Sequence, residues 1–362
     1  AQPWHWVILL HIGVITLHKF KNMRLGWIDI VRGICIYSVV LSHTLNVPIF
    51  YRSIFDPFFL TGFFFLSGVV FKPNSIGKSL FGSTAKILWP YFINAIIIML
   101  GSMKWIELLY IGDFTGVVEY FQYRGTKIMM GKAFWFLACL FIVQVLATFI
   151  IKALKNNKLH MLIVAVLCFA SITGISGTKI APWSANTAIL ALGYFLVGVI
   201  CKDKLMYIDL EKIKRHWGVI AICIYIVIVV LLYILLPKPL SFDLHIHKLS
   251  PELVYLLLSF IGIISVCLFA MSLKKCKLLQ MLGENSLIIY MYHGYGGLIT
   301  NVLFGLLHIK LLESQPYVYT ILFSFTSILI TLGIALLINK YCPVLIGRGA
   351  CINNISKRLF SK

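Results

Sequence analysis

The sequence predicts an all-α polytopic membrane protein, a helix bundle with about ten transmembrane helices. Of its 362 residues, 60% are hydrophobic and only 12% are charged, whereas a soluble domain is about 25% charged. The mean hydropathy is +0.94. Its apolar stretches are continuous, unlike the alternating segments of about ten residues in membrane barrels. Low charge and long apolar runs exclude a soluble globule and a disordered chain.

Ten stretches of the chain are long and apolar enough to be spanning helices, which need about 20 mostly apolar residues. The fifth and sixth of them are short and flanked by Gly, Ser and Pro, so their ends are the least defined. The predicted spans cover residues 28–46, 54–71, 86–103, 134–152, 160–175, 185–201, 217–236, 253–273, 286–307 and 317–339.

The distribution of cations orients the bundle. The formal net charge is +20, and 22 of the 32 Lys and Arg residues fall on the side that holds both termini, against nine on the other side. Cytoplasmic loops of membrane proteins carry such an excess of Lys and Arg. Both termini are therefore predicted to be cytoplasmic, and the charge requires no nucleic-acid partner.

Three segments lie outside the predicted spans. Residues 1–22 are interpreted as an N-terminal extension, because Met23 followed by Arg24 resembles a natural start, and an eleventh span or an interfacial helix is the alternative. Residues 343–362 are predicted to be a short basic cytoplasmic tail. The longest outward loop, residues 104–133, is the candidate for a lid that faces the substrate.

The cysteines predict neither a metal site nor a disulfide framework. There are nine, and most fall within or at the ends of apolar spans, where Cys behaves as a small hydrophobic residue. The sequence has no CxxC pair and no cluster of Cys and His. No metal is therefore expected.

The first span carries three ionisable residues, which are costly inside a membrane and usually functional. Arg32 and His43 are eleven residues apart, so on a helix they differ by about 20° around the axis and about 16 Å along it. Asp29 lies one turn before Arg32 and can pair with it. Alone, Arg32 is compatible with an interfacial cation and His43 with an interior histidine. Their common face favours a functional site.

Two further spans carry polar side chains. In the ninth span Ser286, Tyr290 and His293 are spaced by four and three residues and share one face, which suits either interhelical hydrogen bonds or a site. The second span contains Ser67 beside Gly68, small residues that permit close approach. Asp56, at its outer end, is expected to face His43.

The chain resembles acyltransferase family 3 of membrane proteins. The family pattern is a basic residue, ten residues and then His, followed by aromatic and glycine-containing segments in a fixed order. Single segments are weak signals, but their order and spacing match from Met23 onward. The resemblance rests on Trp27–Gly33 with Leu41–His43, Phe63–Gly68, Trp89–Phe92, Phe134–Phe141, Gly193–Gly198 and Gly283–His293.

The resemblance implies a ten-helix acyltransferase domain over residues 23–342 in a bacterial inner membrane. It implies an O-acetyltransferase with no permanently bound cofactor, which moves an acetyl group from its acyl donor, acetyl-CoA, to a hydroxyl of an envelope or exported sugar. His43 and Arg32 would be the catalytic residues. Supporting or binding roles fall to Asp29, Asp56, Ser67, Trp135, Ser286, Tyr290 and His293.

The nearest branch of the family is the fucose 4-O-acetylase-like group, and this chain departs from it at one place. That branch often has a His in an FHMP-like context, where this chain reads Phe55-Asp56-Pro57. A different acceptor would follow if the family His binds acceptor.

Two other classes remain open from the sequence. The main alternative is a transporter or flippase of a lipid-linked saccharide, although the sequence shows no repeated halves of the kind that many transporters have. The other is a membrane sensor or anchoring subunit with a degenerate site. The presence of both Arg32 and His43 argues against degeneracy.

Overall fold

A computed structural model describes residues 26–44, 46–72, 75–101, 134–179, 181–236, 240–309 and 314–348. The N-terminal extension, the 104–133 loop and residues 349–362 of the tail lie outside the described residues. The α-helices are α1 Gly26–Ser42, α2 Ile49–Phe55, α3 Phe59–Val69, α4 Ile76–Ser83, α5 Trp89–Gly101, α6 Trp135–Ala153, α7 Lys158–Ala170, α8 Ile172–Ile175, α9 Ala185–Met206, α10 Arg215–Leu235, α11 Glu252–Leu273, α12 Lys277–Glu284, α13 Ser286–Leu306 and α14 Pro316–Tyr341.

Shorter elements join these helices. A π-helical turn, Thr84–Leu88, links α4 to α5, and a hairpin lies between α10 and α11. The 3₁₀ turns are Pro182–Ser184, Leu210–Lys212 and Pro343–Ile346, and the hairpin strands are β1 Ser241–Asp243 and β2 Lys248–Ser250.

The prediction of an all-α polytopic bundle is confirmed. Among the described residues, eight helical stretches are long and apolar enough to cross a membrane. Helices α1, with 17 residues, and α13, with 21 residues that include several polar ones, occupy the places of the first and ninth predicted spans. These two less apolar helices are the ones that carry Arg32 and His293.

Helix α1 lies at the centre of the bundle. It packs against α3, α11, α12, α13 and α14, and most of its side chains are buried. Glycines allow the closest of these approaches. A Cβ added at Gly283 of α12 would lie 1.9 Å from the Asp29 carbonyl oxygen, and one at Gly33 would lie 2.1 Å from that of Leu279. The backbones of α1 and α12 therefore meet directly.

A second glycine crossing joins α3 to α9. A Cβ at Gly68 would lie 2.0 Å from the Phe195 carbonyl oxygen, and a Cβ at Gly198 would lie 2.1 Å from that of Phe65. Small residues at such crossings let membrane helices gain van der Waals contact along their backbones. Two segments of the family resemblance, Phe63–Gly68 and Gly193–Gly198, thus pack against each other.

Among the described residues, a β-hairpin between α10 and α11 is a non-helical unit that bears on the site. Its strands pair antiparallel, with Phe242 opposite Leu249. His247 anchors it, since this fully buried imidazole lies 2.8 Å from the Thr187 hydroxyl through Nε2 and 3.0 Å from the Thr178 carbonyl oxygen through Nδ1. The anchor holds the 243–246 segment against the outer ends of the helices.

The α3–α9 crossing gives a matched test of packing. We expect Gly198→Ala to destabilise the protein by about 1–3 kcal/mol, because the added methyl group has to displace Phe65 backbone. The control is Gly333→Ala in α14, where a Cβ meets nothing within 4 Å. We expect the control to be neutral or to stabilise by up to about 1 kcal/mol. Unfolding free energies in mixed micelles measure both, and equal effects would contradict the crossing.

Candidate active site

The site is centred on two histidines from different helices. His43 follows the last residue of α1, and His293 lies in α13. Their ring centroids are 4.9 Å apart, with the rings edge to face at 70°. His293 is 8% exposed, whereas His43 is accessible to solvent. The sequence placed each residue on a polar face of its own span, and the fold brings the two faces together.

Backbone hydrogen bonds set the tautomer of both rings. Nδ1 of His43 lies 2.7 Å from the Val39 carbonyl oxygen, and Nδ1 of His293 lies 2.8 Å from that of Tyr290. A carbonyl oxygen only accepts, so each Nδ1 carries the hydrogen. In the neutral ring, Nε2 then has a free lone pair. An accessible imidazole with an unprotonated Nε2 is the form that a general base requires.

Tyr290 connects the histidine pair to α6. Its ring is 6.4 Å from that of His293 and 5.5 Å from that of Phe136. The Phe136 backbone N–H donates to the Tyr290 hydroxyl at 3.2 Å. This bond satisfies a donor in the first turn of α6, where no intrahelical partner is available. Tyr290 therefore makes the interhelical hydrogen bond that its spacing suggested.

Asp56 lies beside the outer end of α1, as expected. Its hydrogen bond is to Ser42, the residue before His43, and not to His43 itself. The Ser42 hydroxyl donates to Asp56 Oδ1 at 2.7 Å, and both side chains are buried. Arg52 Nη2 donates to the Ser42 carbonyl oxygen at 3.3 Å. These contacts fix the chain on either side of the α1 terminus that presents His43.

Arg32 and Asp29 form a separate polar group toward the inner end of α1. Arg32 Nη1 lies 3.6 Å from Asp29 Oδ1, with side chains 26% and 3% exposed. The predicted i, i+3 pairing is therefore present. Because eleven residues separate Arg32 from His43, the two lie about 16 Å apart along the helix. Arg32 lies six residues after the start of α1 and His43 just beyond its end, so the two are not in one catalytic cluster.

The hairpin adds residues that sequence reasoning missed. His245, which the sequence did not single out, stacks on Trp135 with ring centroids 4.8 Å apart and an interplanar angle of 21°. Asp243 lies close enough to act electrostatically on both His43 and Asp56. No periodicity marks these residues. The only available signal was the concentration of Asp243, His245 and His247 in one short outer loop.

The remaining candidates lie away from the histidine pair. Ser67 and Ser286 are half-buried on α3 and α13, and no hydrogen bond among the described residues joins them to His43 or His293. Trp135 is buried, and its ring contacts those of Phe136 and of His245 in the hairpin. Within the described part of the chain, no group of three His, Cys, Asp or Glu side chains is arranged to hold a metal ion.

The fold and the site define a multi-pass membrane protein with an imidazole pair inside its bundle. The family model of an acyltransferase domain, acyltransferase family 3, matches residues 25–340. The chain therefore belongs to acyltransferase family 3, as its sequence segments indicated, and is a membrane acyltransferase. No curated protein and no solved structure matches it.

The Ser42–Asp56 bond can be tested with a neighbouring serine as the control. We expect Ser42→Ala to cost about 1–3 kcal/mol in unfolding free energy, because it leaves a buried carboxylate without its donor. Ser53→Ala removes an equally buried hydroxyl that bonds only the Ile49 carbonyl of its own helix, and should cost less than about 0.5 kcal/mol. Denaturation of both variants in mixed micelles measures the difference. Equal losses would mean that Asp56 does not depend on Ser42.

Proposed function

We propose that this acyltransferase is an O-acetyltransferase, which moves the acetyl group of acetyl-CoA to a hydroxyl of a cell-envelope or exported sugar in a bacterial inner membrane. The observation that carries the proposal is the accessible His43, whose Nδ1 is bound to Val39 and whose Nε2 is left unprotonated. An alcohol is a poor nucleophile near neutral pH, so its acylation needs a positioned base.

His43 is assigned the proton transfers. Its Nε2 takes the proton of the sugar hydroxyl as the oxygen attacks the thioester carbonyl, which gives a tetrahedral intermediate with a negative oxygen. The intermediate then collapses, the C–S bond breaks, and the coenzyme A sulfur leaves as it receives the proton back from the imidazolium. The products are the acetyl ester and coenzyme A, so His43 ends in its starting form.

His293 and Asp243 are assigned supporting roles beside His43. The His293 ring packs edge to face with the His43 ring and limits its rotation. Asp243 provides a negative charge from the hairpin during the step in which His43 becomes positive. Hydrogen bonds from Ser42 to Asp56 and from Arg52 to Ser42 hold the end of α1 that carries the base.

Arg32 is assigned to the donor at the cytoplasmic end of α1. A guanidinium remains charged at all working pH values and can bind phosphate through two parallel hydrogen bonds. Asp29 pairs with Arg32 and would orient it toward a coenzyme A phosphate or toward the inner part of the site. With His43 at the outer end, one helix serves a donor from inside and an acceptor from outside.

The experiment uses purified protein in nanodiscs with radiolabelled acetyl-CoA and a mixed pool of envelope glycans. We expect glycan-stimulated release of coenzyme A from the wild type and a loss of about 10²–10⁴-fold in kcat for His43→Ala, the usual contribution of a general base. Arg32→Ala should raise the KM for acetyl-CoA. The control, His160→Ala, removes an exposed histidine in the first turn of α7 and should keep full activity.

Two outcomes would contradict the proposal. Normal turnover by His43→Ala would remove His43 from the chemistry. Failure of the wild type to bind acetyl-CoA, together with movement of a lipid-linked saccharide across the membrane, would establish the flippase alternative.

A further inference from the structure

A cleft of about 570 Å³ opens on the predicted cytoplasmic side, away from the histidine pair. It lies between the segment that leads into α10 and the end of α11. Its size is within the range of pockets that hold small ligands, about 300–1,000 Å³. The cleft is lined by Glu211, Ile213, Lys214, Arg215, Ser272, Leu273, Lys274 and Lys275.

The lining has four cationic side chains and one carboxylate. Lys274 Nζ lies 2.5 Å from Glu211 Oε2, so this pair neutralises one positive charge. No ion pair of the described residues involves Lys214, Arg215 or Lys275, and all three are exposed. The cleft therefore carries about three uncompensated positive charges.

Two other lysines on the same side are neutralised by a nearby carboxylate. Lys158 Nζ lies 2.7 Å from Asp203 Oδ2, and Lys212 Nζ lies 3.7 Å from Asp209 Oδ2. An excess of Lys and Arg is general on cytoplasmic surfaces. The cleft differs because it gathers three unpaired cations around one concave space.

The base of the cleft is closely packed. A Cβ at Gly218 of α10 would lie 2.1 Å from the Ser272 hydroxyl of α11, so these helices touch beneath the opening. Helix α11 ends at Leu273, and the next residue, Lys274, has φ 57°. This turn at a positive φ redirects the chain toward α12 and places Lys274 and Lys275 at the rim.

The cleft is one helix away from the inner polar group of α1. Helix α11 packs between α10 and α1, and packed helices lie about 8–10 Å apart. The chain from Lys275 then enters α12, whose Gly283 rests against Asp29. A ligand in the cleft would thus be on the same side of the bundle as Arg32.

We propose that this cleft binds phosphate groups of a cytoplasmic-side ligand through Lys214, Arg215 and Lys275. Lysine ammonium groups and the arginine fork form charge-assisted hydrogen bonds with phosphate oxygens. Two ligands present that chemistry here, the phosphates of coenzyme A and the headgroup of an anionic phospholipid. If the ligand is coenzyme A, this inference rests on the proposed function. If the ligand is an anionic phospholipid, the inference does not depend on the proposed function.

The test compares two double variants that remove the same charge from the same side. Lys214→Ala/Lys275→Ala changes the cleft, and Lys152→Ala/Lys155→Ala removes two exposed lysines at the end of α6. Coenzyme A binding is measured by calorimetry in zwitterionic nanodiscs. Retention of phosphatidylglycerol is measured by native mass spectrometry from nanodiscs that contain it. Melting temperatures establish that both variants are folded.

Each cation near a phosphate-bearing surface contributes about fivefold in affinity. We therefore expect the cleft variant, which lacks two cations, to lose about 25-fold in affinity for one of the two probes. The control variant should lose less than about threefold. A loss confined to coenzyme A identifies the donor, and a loss confined to phosphatidylglycerol identifies a lipid site. No loss beyond the control for either probe would overturn the proposal.

The same measurements separate this proposal from the catalytic one. If the wild type fails to transfer acetyl groups but the cleft variant still loses phosphatidylglycerol, the proposed function fails and the phosphate site stands. If acetyl transfer proceeds and both binding measurements match the control, the proposed function stands and the phosphate site fails.

Discussion

Polar groups inside a bundle that faces hydrocarbon have no water to bind, so each must find a partner within the protein. Helix α1 carries three polar contacts that meet this constraint. Asp29 is 2% exposed and pairs with Arg32, Ser42 donates to Asp56, and the Tyr37 hydroxyl lies 3.2 Å from that of Ser324 in α14. Tyr37 and Ser42 find their partners outside α1, so these two contacts require the assembled bundle.

Close packing around α1 holds these polar groups in position. Gly33 and Gly283 bring α12 into backbone contact with α1 at the level of Asp29. Tyr290 links α13 to α6, so His293 is placed by contacts on both sides of its helix. A catalytic base has to lie within a few ångströms of its substrate, and these packing contacts and hydrogen bonds fix the position of its ring.

The sequence predicted the bundle because hydropathy and cation distribution are properties of single segments. It also placed Asp29, Arg32 and His43 on one helix and Tyr290 and His293 on another, since helical spacing is local. It did not predict that His43 meets His293, because the crossing of α1 and α13 depends on tertiary packing. Asp243 and His245 were missed for another reason. They lie in a hairpin with three-residue strands, too short to produce a periodic pattern.

The segments that carry the family resemblance divide into two physical roles. Gly68, Gly198 and Gly283 are packing positions where a side chain would collide with backbone. His43, Tyr290 and His293 form the imidazole site. The hairpin belongs to neither group, and it brings His245 onto the Trp135 ring and Asp243 toward the end of α1 that carries His43. Under the proposed function, the choice of acceptor therefore depends on segments outside the family pattern, and the hairpin is the described segment placed to make that choice.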